Sequence, residues 1–382
     1  MLTSGTSPAA VLDSREADNK RLENGASVTN DGSAVRMDTK ADKDGVPDAS
    51  NNCPSAPNRA QHDANRDGVG DACEQAATFG LSPQNTPDQN RKALYDALAG
   101  SNNVVLPPGD YRVNNDPALG YIVLNNFSGS LTMHEGARFV FQHTRGRGFQ
   151  LYSGTGAKFY NLTGTFPTLP PKRVVPQELF FFDRTTDTLV RDVDINGSAS
   201  TGLFFGRGVR PVVNGGLIRN TRADGVHMAN TQDARVVNLT TDTTGDDGIS
   251  FVSYGGSRQG IGGYANNVTV RRGETRGITV IGSAEVLIEN FRIEDTRTSG
   301  IMVAQESSYG TPVPYDVVAR NGTIVNPGQY PGRGYPHGHG ISLFHIGQGI
   351  SFSDITITNP AAACTGGDEL YYPATFERIT CN

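Results

Sequence analysis

Apolar positions along residues 200–344 arrive in short bursts, each a glycine followed by an apolar-x-apolar triplet and then polar residues. The bursts read "TGLFF" at 201, "DGVHM" at 224, "DGISF" at 247, "RGITV" at 276, "SGIMV" at 299 and "HGISL" at 339. Their glycines, Gly202, Gly225, Gly248, Gly277, Gly300 and Gly340, are 23, 23, 29, 23 and 40 residues apart. Second alternating runs such as "RVVNLTT", "NVTVRRG" and "VLIENFRIED" lie between them. Period-two alternation over a few residues marks a strand. A self-similar unit of this length marks coils that stack, each burying its apolar face on the next. The pattern predicts an all-β fold, a right-handed parallel β-helix (a single-stranded solenoid). A β-sandwich is the structural alternative, but its strands would not keep glycine in one phase. The longer intervals place insertions near 254–264 and within 305–337, and loops of that size on a regular scaffold tend to shape a site.

Upstream, "NTPDQNRKALYDALAGSNNVVLPPGDYRV" predicts one amphipathic helix over roughly 87–99 and then a strand and a turn. Short alternating runs follow: "YIVL", "SLTM", "RFVFQ", "FQLY" and "KFYNLTG". Three segments result: a linker or mobile arm at 1–36, an acidic module at 37–75 and the β-helix at 76–382. "GRGFQLYSGTG" at 146–156 has no helix after it, so its glycines are read as turns rather than a phosphate loop.

Charge separates the segments. Of 39 acidic and 33 basic residues, 13 and 8 fall before residue 76, and the remainder is nearly balanced. Nothing resembles a nucleic-acid footprint, and no apolar run is long enough for a membrane span. The β-helix segment carries lysine only at Lys92, Lys158 and Lys172 and otherwise uses arginine. That bias fits planar recognition of carboxylates or sulfates, and equally a codon preference. Cys53 with Cys73 and Cys364 with Cys381 form two local pairs, which predicts two disulfides and an oxidising, extracellular compartment. The opening "MLTSGTSPAAVLDSREAD" has neither the basic start nor the apolar stretch of a signal peptide.

In the acidic module, Asp38, Asp42, Asp44 and Asp48 recur around Gly45, and Asp63, Asn65, Asp67 and Asp71 recur around Gly68. Closely spaced oxygen ligands with a glycine at the sharp turn are what a hard calcium ion needs. The stretch 38–74 resembles the thrombospondin type 3 repeat in its acidic spacing, both "DGV" turns and both cysteines. The resemblance implies structural calcium; Lys40 stands where such repeats often carry an acid.

Regular coils turn spacing into geometry. Asp224 and Asp246 are 22 residues apart, one coil, so they are expected about 4.8 Å apart along the axis, with Asp247 beside them. Carboxylates so placed cannot all ionise freely, and at least one keeps its proton to higher pH. Glycoside hydrolysis needs both states: a protonated acid for the leaving oxygen and an ionised base or nucleophile.

"ADGVHMAN" followed by "TGDDGISFVSY" resembles the paired motifs of polygalacturonase-type β-helix glycoside hydrolases, and its wider wording is similar to the mycodextranase and α-1,3-glucanase branch. The resemblance implies a secreted, inverting hydrolase of a polysaccharide that needs no cofactor for catalysis. Asp224, Asp246 and Asp247 would be catalytic, with Asp246 the acid and Asp224 and Asp247 holding the water. Arg276 stands where polygalacturonases carry the histidine of Gly-His-Gly, and the Arg-Ile-Lys motif of pectinases is absent, so galacturonan is not supported. Candidate substrate-binding residues are His227, Tyr254, Arg258, Arg276 and His339; Tyr330, Tyr335 and His337 share the late insertion with His339. A calcium-assisted polysaccharide lyase and a carbohydrate-binding, non-catalytic β-helix are the competing functions.

Overall fold

The computed structural model describes residues 42–174, 177–329, 338–368 and 371–382. The arm at 1–36, Asp38, Lys40, Tyr330, Tyr335 and His337 lie outside the described residues. Two compact units divide the chain: one runs to His62 and takes in Gly68–Cys73, and the other comprises Asp63–Asp67 and Glu74–Asn382.

In the larger unit the short runs stack as parallel strands into sheets of 14 and 10 strands, a solenoid of about 10 coils. The glycine phase is its register. Leu203 pairs with Val226, Val226 with Ile249, Ile249 with Ile278, Ile278 with Ile301 and Ile301 with Ile341. All six are fully buried and form one inward row. The glycine before each strand is required by close approach. A Cβ on Gly225 would lie 2.6 Å from the Gly248 carbonyl oxygen, and one on Gly277 2.5 Å from that of Gly300. Residues of the early coils fill the core with phenylalanine, as in the stacked pair Phe182 and Phe205 at 4.7 Å, and later coils use isoleucine and valine.

Bends within the longer strands, such as Arg235–Asp242 and Tyr264–Arg271, need left-handed backbone, which asparagine tolerates better than most residues. Asn238 and Asn267 have φ of 56° and 52°, and their amides form a ladder from coil to coil: Asn238 donates to Asn214 at 2.9 Å and Asn267 to Asn238 at 2.8 Å. Arginines act in the same direction. Arg210 forks onto Asp187, Arg207 onto Asp183 and Arg378 onto Asp354. Each pair is one coil apart in sequence, so the fork ties a coil to its predecessor.

The helix is Pro87–Ala97, begun by a capping box between Thr86 and Gln89 with proline in the first turn. Its buried Leu94 and Ala97 share one core with Val104, Leu106 and Tyr111 of the first coil. At the other end Cys364 is bonded to Cys381, with Cα atoms 6.0 Å apart.

The smaller unit has little apolar interior. Cys53 is fully buried and bonded to Cys73. Amides hold the rest: the Gln61 side chain donates to Asn51 at 3.0 Å and Asn58 at 2.8 Å, and accepts from the Asn52 N–H at 2.7 Å. Asp42 accepts from the Asp44 N–H and from Asn51 at 3.2 and 2.9 Å, and Asp44 accepts from the Val46 N–H at 2.7 Å. These bonds curl the acidic loop around Gly45, whose φ is +86°. In the larger unit Asp63 and Asn65 both accept from the Asp67 N–H, at 3.2 and 2.9 Å. No helix among the described residues is long and apolar enough to cross a membrane.

Candidate active site

Carrying the register two residues back from the inward row puts Thr201, Asp224, Asp247 and Arg276 in one column on successive coils. Main-chain bonds hold that column: Gly202 N–H donates to the Asp224 carbonyl, Gly225 N–H to that of Asp247 and Gly248 N–H to that of Arg276, at 3.0, 3.0 and 3.1 Å. The coil-to-coil partner of Asp224 is therefore Asp247, 23 residues on. Asp246 enters from the preceding turn, where its N–H reaches the Ala223 carbonyl at 3.3 Å. The three carboxyl groups converge as expected, with one oxygen of each within 4.8 Å of the others.

Their surroundings differ. Asp224 is 3% exposed. One oxygen accepts from the Asp247 N–H at 3.1 Å, and the other from Ser250 Oγ at 2.8 Å and from His227 Nδ1. Burial pushes this carboxyl up, but hydrogen bonding and attraction from His227, aided by Ser250 and Arg173, hold it below the ordinary value. Asp247, equally buried, is gripped by Arg276, whose Nε and Nη2 donate at 2.7 and 3.1 Å, and by Thr279 Oγ1 at 2.8 Å. Burial, with repulsion from Asp246 and Asp224, nevertheless pushes it up to about 7 against the pull of Arg276. Asp246 alone reaches solvent, with 27% of its side chain exposed and Arg173 Nη1 at 3.0 Å. Burial and then the charge of Asp224 raise it, opposed by Arg276, Thr275 and Arg173.

Arg276 also donates to Glu306 at 3.2 Å and lies 3.7 Å from Asp246. It binds carboxylates of its own chain. Tyr254 reaches the site through its hydroxyl, 3.2 Å from His227 Nε2. Two candidates are not brought in. Arg258 is exposed, and its carbonyl accepts from Asn230 at 2.9 Å. His339 occupies the same column as Asp247 but three coils further on, where its Nδ1 accepts from the Ala363 N–H at 3.3 Å. Sequence reasoning missed Arg173, Phe204, Ser250, Thr279 and Glu306. The strand register would have found Ser250 and Thr279, which follow His227 on successive coils; Arg173 comes from a segment outside the repeat and left no such signal.

A family model for the right-handed β-helix region matches residues 179–309, and the thrombospondin type 3 repeat matches 38–61 and 62–76. No curated protein matches the chain. Among solved structures, polygalacturonase from Erwinia carotovora ssp. carotovora is similar with a TM-score of 0.52 at 12% identity, over 81% of this chain and 98% of that one. The catalytic unit of a thermostable GH87 alpha-1,3-glucanase from Streptomyces thermodiastaticus strain HF3-3 gives 0.50 at 15% identity, over 80% and 68%. A GH87 alpha-1,3-glucanase catalytic domain in complex with tetrasaccharides gives 0.47 at 16% identity over 80% of this chain, which spans 59% of that domain. At these identities the likeness speaks for the fold. The larger unit is a right-handed parallel β-helix of the pectin-lyase-like class. Thrombospondin type 3 repeats precede it.

Proposed function

We propose that the protein is a secreted glycoside hydrolase that cleaves a polysaccharide with inversion, using Asp246 as general acid and Asp224 with Asp247 to hold and activate water. The observation that carries this is the convergence of three carboxyl groups with divided environments. Asp246 has its affinity for a proton raised and faces solvent, which suits the donor to a leaving oxygen. Asp224 is held ionised by its partners, which suits a base. Pairs of titratable groups pushed apart in this way are how acid and base roles are assigned at one pH.

Spacing alone would favour retention, because inverting pairs usually stand farther apart to admit water. The hydrogen bonds argue otherwise. Both oxygens of Asp247 are taken by Arg276 and Thr279, and Asp224 is fixed by His227, Ser250 and the Asp247 N–H. Neither is free to swing onto an anomeric carbon as a nucleophile, whereas the oxygen of each that has a single donor keeps a lone pair for water. Guanidinium groups on Asp246 and Asp247 also oppose a catalytic calcium, which disfavours the lyase reading.

The test is a panel of polysaccharides with proton NMR of the first products. New reducing ends of inverted configuration are expected; retention would refute the role of Asp224 and Asp247, and unsaturated products would refute hydrolysis. In the repeat module we infer calcium on Asp38, Asp42, Asp44 and Asp48, and on Asp63, Asn65, Asp67 and Asp71. Calorimetric titration of the whole chain should register calcium uptake that Asp44→Asn and Asp67→Asn reduce.

A further inference from the structure

The outward row of the site-bearing sheet runs Phe181, Phe204, His227, Ser250 and Thr279 on successive coils. Two phenylalanines facing away from the core call for a reason, and the rings supply one. Phe181 stacks on Phe204 with centroids 4.9 Å apart, Phe204 on His227 at 4.6 Å with planes 8° apart, and His227 on Tyr254 at 5.9 Å and 12°. The imidazole is thus covered on one face by Phe204 and met at its edge by Tyr254. Its edges are taken as well: Nδ1 meets Asp224 and Ser250 Oγ, and Nε2 meets the Tyr254 hydroxyl. Only 7% of the side chain is exposed. Neither ring nitrogen remains for a sugar.

We propose that His227, clamped by Phe204 on one face and by the Tyr254 hydroxyl at its edge, is a positioning residue that keeps Asp224 oriented and ionised as the base, and that Phe204 acts on the reaction through this clamp. The kinetic part of the proposal rests on the hydrolase reading above; the structural part does not. An ionised Asp224 can only accept, so the proton shared with His227 belongs on Nδ1. A half-turn of the ring would present carbon instead and strand the carboxylate. Stacking on Phe204 and the Tyr254 hydroxyl at Nε2 resist that rotation, since an aromatic pair at this separation gains from keeping its offset geometry. Tyr254 is itself held, its main-chain N–H donating to Asn230 at 3.2 Å and its carbonyl accepting from Asn230 at 3.1 Å. Phe204 packs between Phe181 and the imidazole, and it reaches the carboxyl cluster through the imidazole it covers.

The experiment combines NMR of the full chain carrying 15N-labelled histidine with kinetics. In the unaltered protein a slowly exchanging Nδ1 proton is expected that His227→Gln removes, which assigns it. Phe204→Leu should speed its exchange and lower kcat about tenfold with KM unchanged, and Phe204→Tyr should restore both. Tyr254→Phe keeps the stack and loses only the hydroxyl, so its effect should be smaller. The proposal is overturned if Phe204→Leu changes KM alone, as a sugar contact would, or leaves the proton and kcat as they were. If no polysaccharide is cleaved, the hydrolase reading falls by itself, and the NMR arm still decides: a protected proton that depends on Phe204 supports the clamp, and its absence refutes it.

Discussion

Glu178 and Asp224 stand in one column two coils apart, both buried and both beside cationic partners, yet their neighbourhoods differ in kind. Glu178 has one partner of opposite sign, Arg147, at 2.7 Å with 8% and 13% of the side chains exposed. Arg147 is further held by Gln150 at 2.8 Å and by the Phe181 ring, 4.1 Å away. That is a balanced pair, closed on itself. Around Asp224 three carboxyl groups share Arg173 and Arg276 beside the His227 ring, and Glu306 draws on Arg276 as well. The second neighbourhood has more acid than its cations can pair. A buried pair of equal charges settles into structure, whereas an excess of one sign must be met with a proton, and a proton held for that reason is one the site can give away.

Removing the surplus acid should have the largest effect. Asp246→Asn is expected to lower kcat by about 10² to 10⁴ with melting unchanged, read from progress curves and thermal unfolding. The pH profile of the proposed activity in the unaltered protein should follow the same logic. Activity should fall as rising pH strips the raised Asp246, and fall again at low pH as the depressed Asp224 takes up a proton.

A smaller effect separates the two arginines. Arg276→Lys breaks the fork on Asp247 and should reduce kcat by about tenfold or more, because a single ammonium cannot span both oxygens. Glu178→Gln leaves Arg147 without its counter-charge. It should cost about 3 kcal/mol of stability with kcat retained, and equal loss of activity from both variants would erase the distinction drawn here.

The last effect is read in stability rather than in turnover. Asp247 holds its proton up to about 7 in the folded chain against an ordinary value of 3.8. Its contribution is therefore fully present below the ordinary value and lost as pH rises through about 7. Asp247→Asn should flatten the decline in Tm across that interval, measured by calorimetry at several pH values.

Much of this was legible before any coordinates. Gly225 and Gly277 announced the register because a coil boundary has no room for Cβ, and the same register carried Asp224, Asp246 and Asp247 into one place. The one-residue difference in their alignment was not legible, because the turn that admits Asp246 obeys local hydrogen bonding rather than the repeat. Nor was the reason for the arginine bias. Arg207 with Asp183 and Arg210 with Asp187 have meaning only once successive coils are laid beside each other. An outward position such as Phe204 gave no warning, since alternation fixes which way a residue faces but not what stands over it. His339 carried a motif-like signature and still fell three coils from Asp247.

The helix Pro87–Ala97 has a further bearing on the end of the stack that it covers. A stack of coils has no intrinsic last member, and its first turn offers apolar cross-section and unmet main-chain groups to any similar end. With Leu94 and Ala97 set against Val104 and Tyr111, that end carries a lid of different symmetry, onto which another solenoid cannot add in register. A chain shortened to begin after this helix is expected to join end to end into filaments, the growth that the lid arrests.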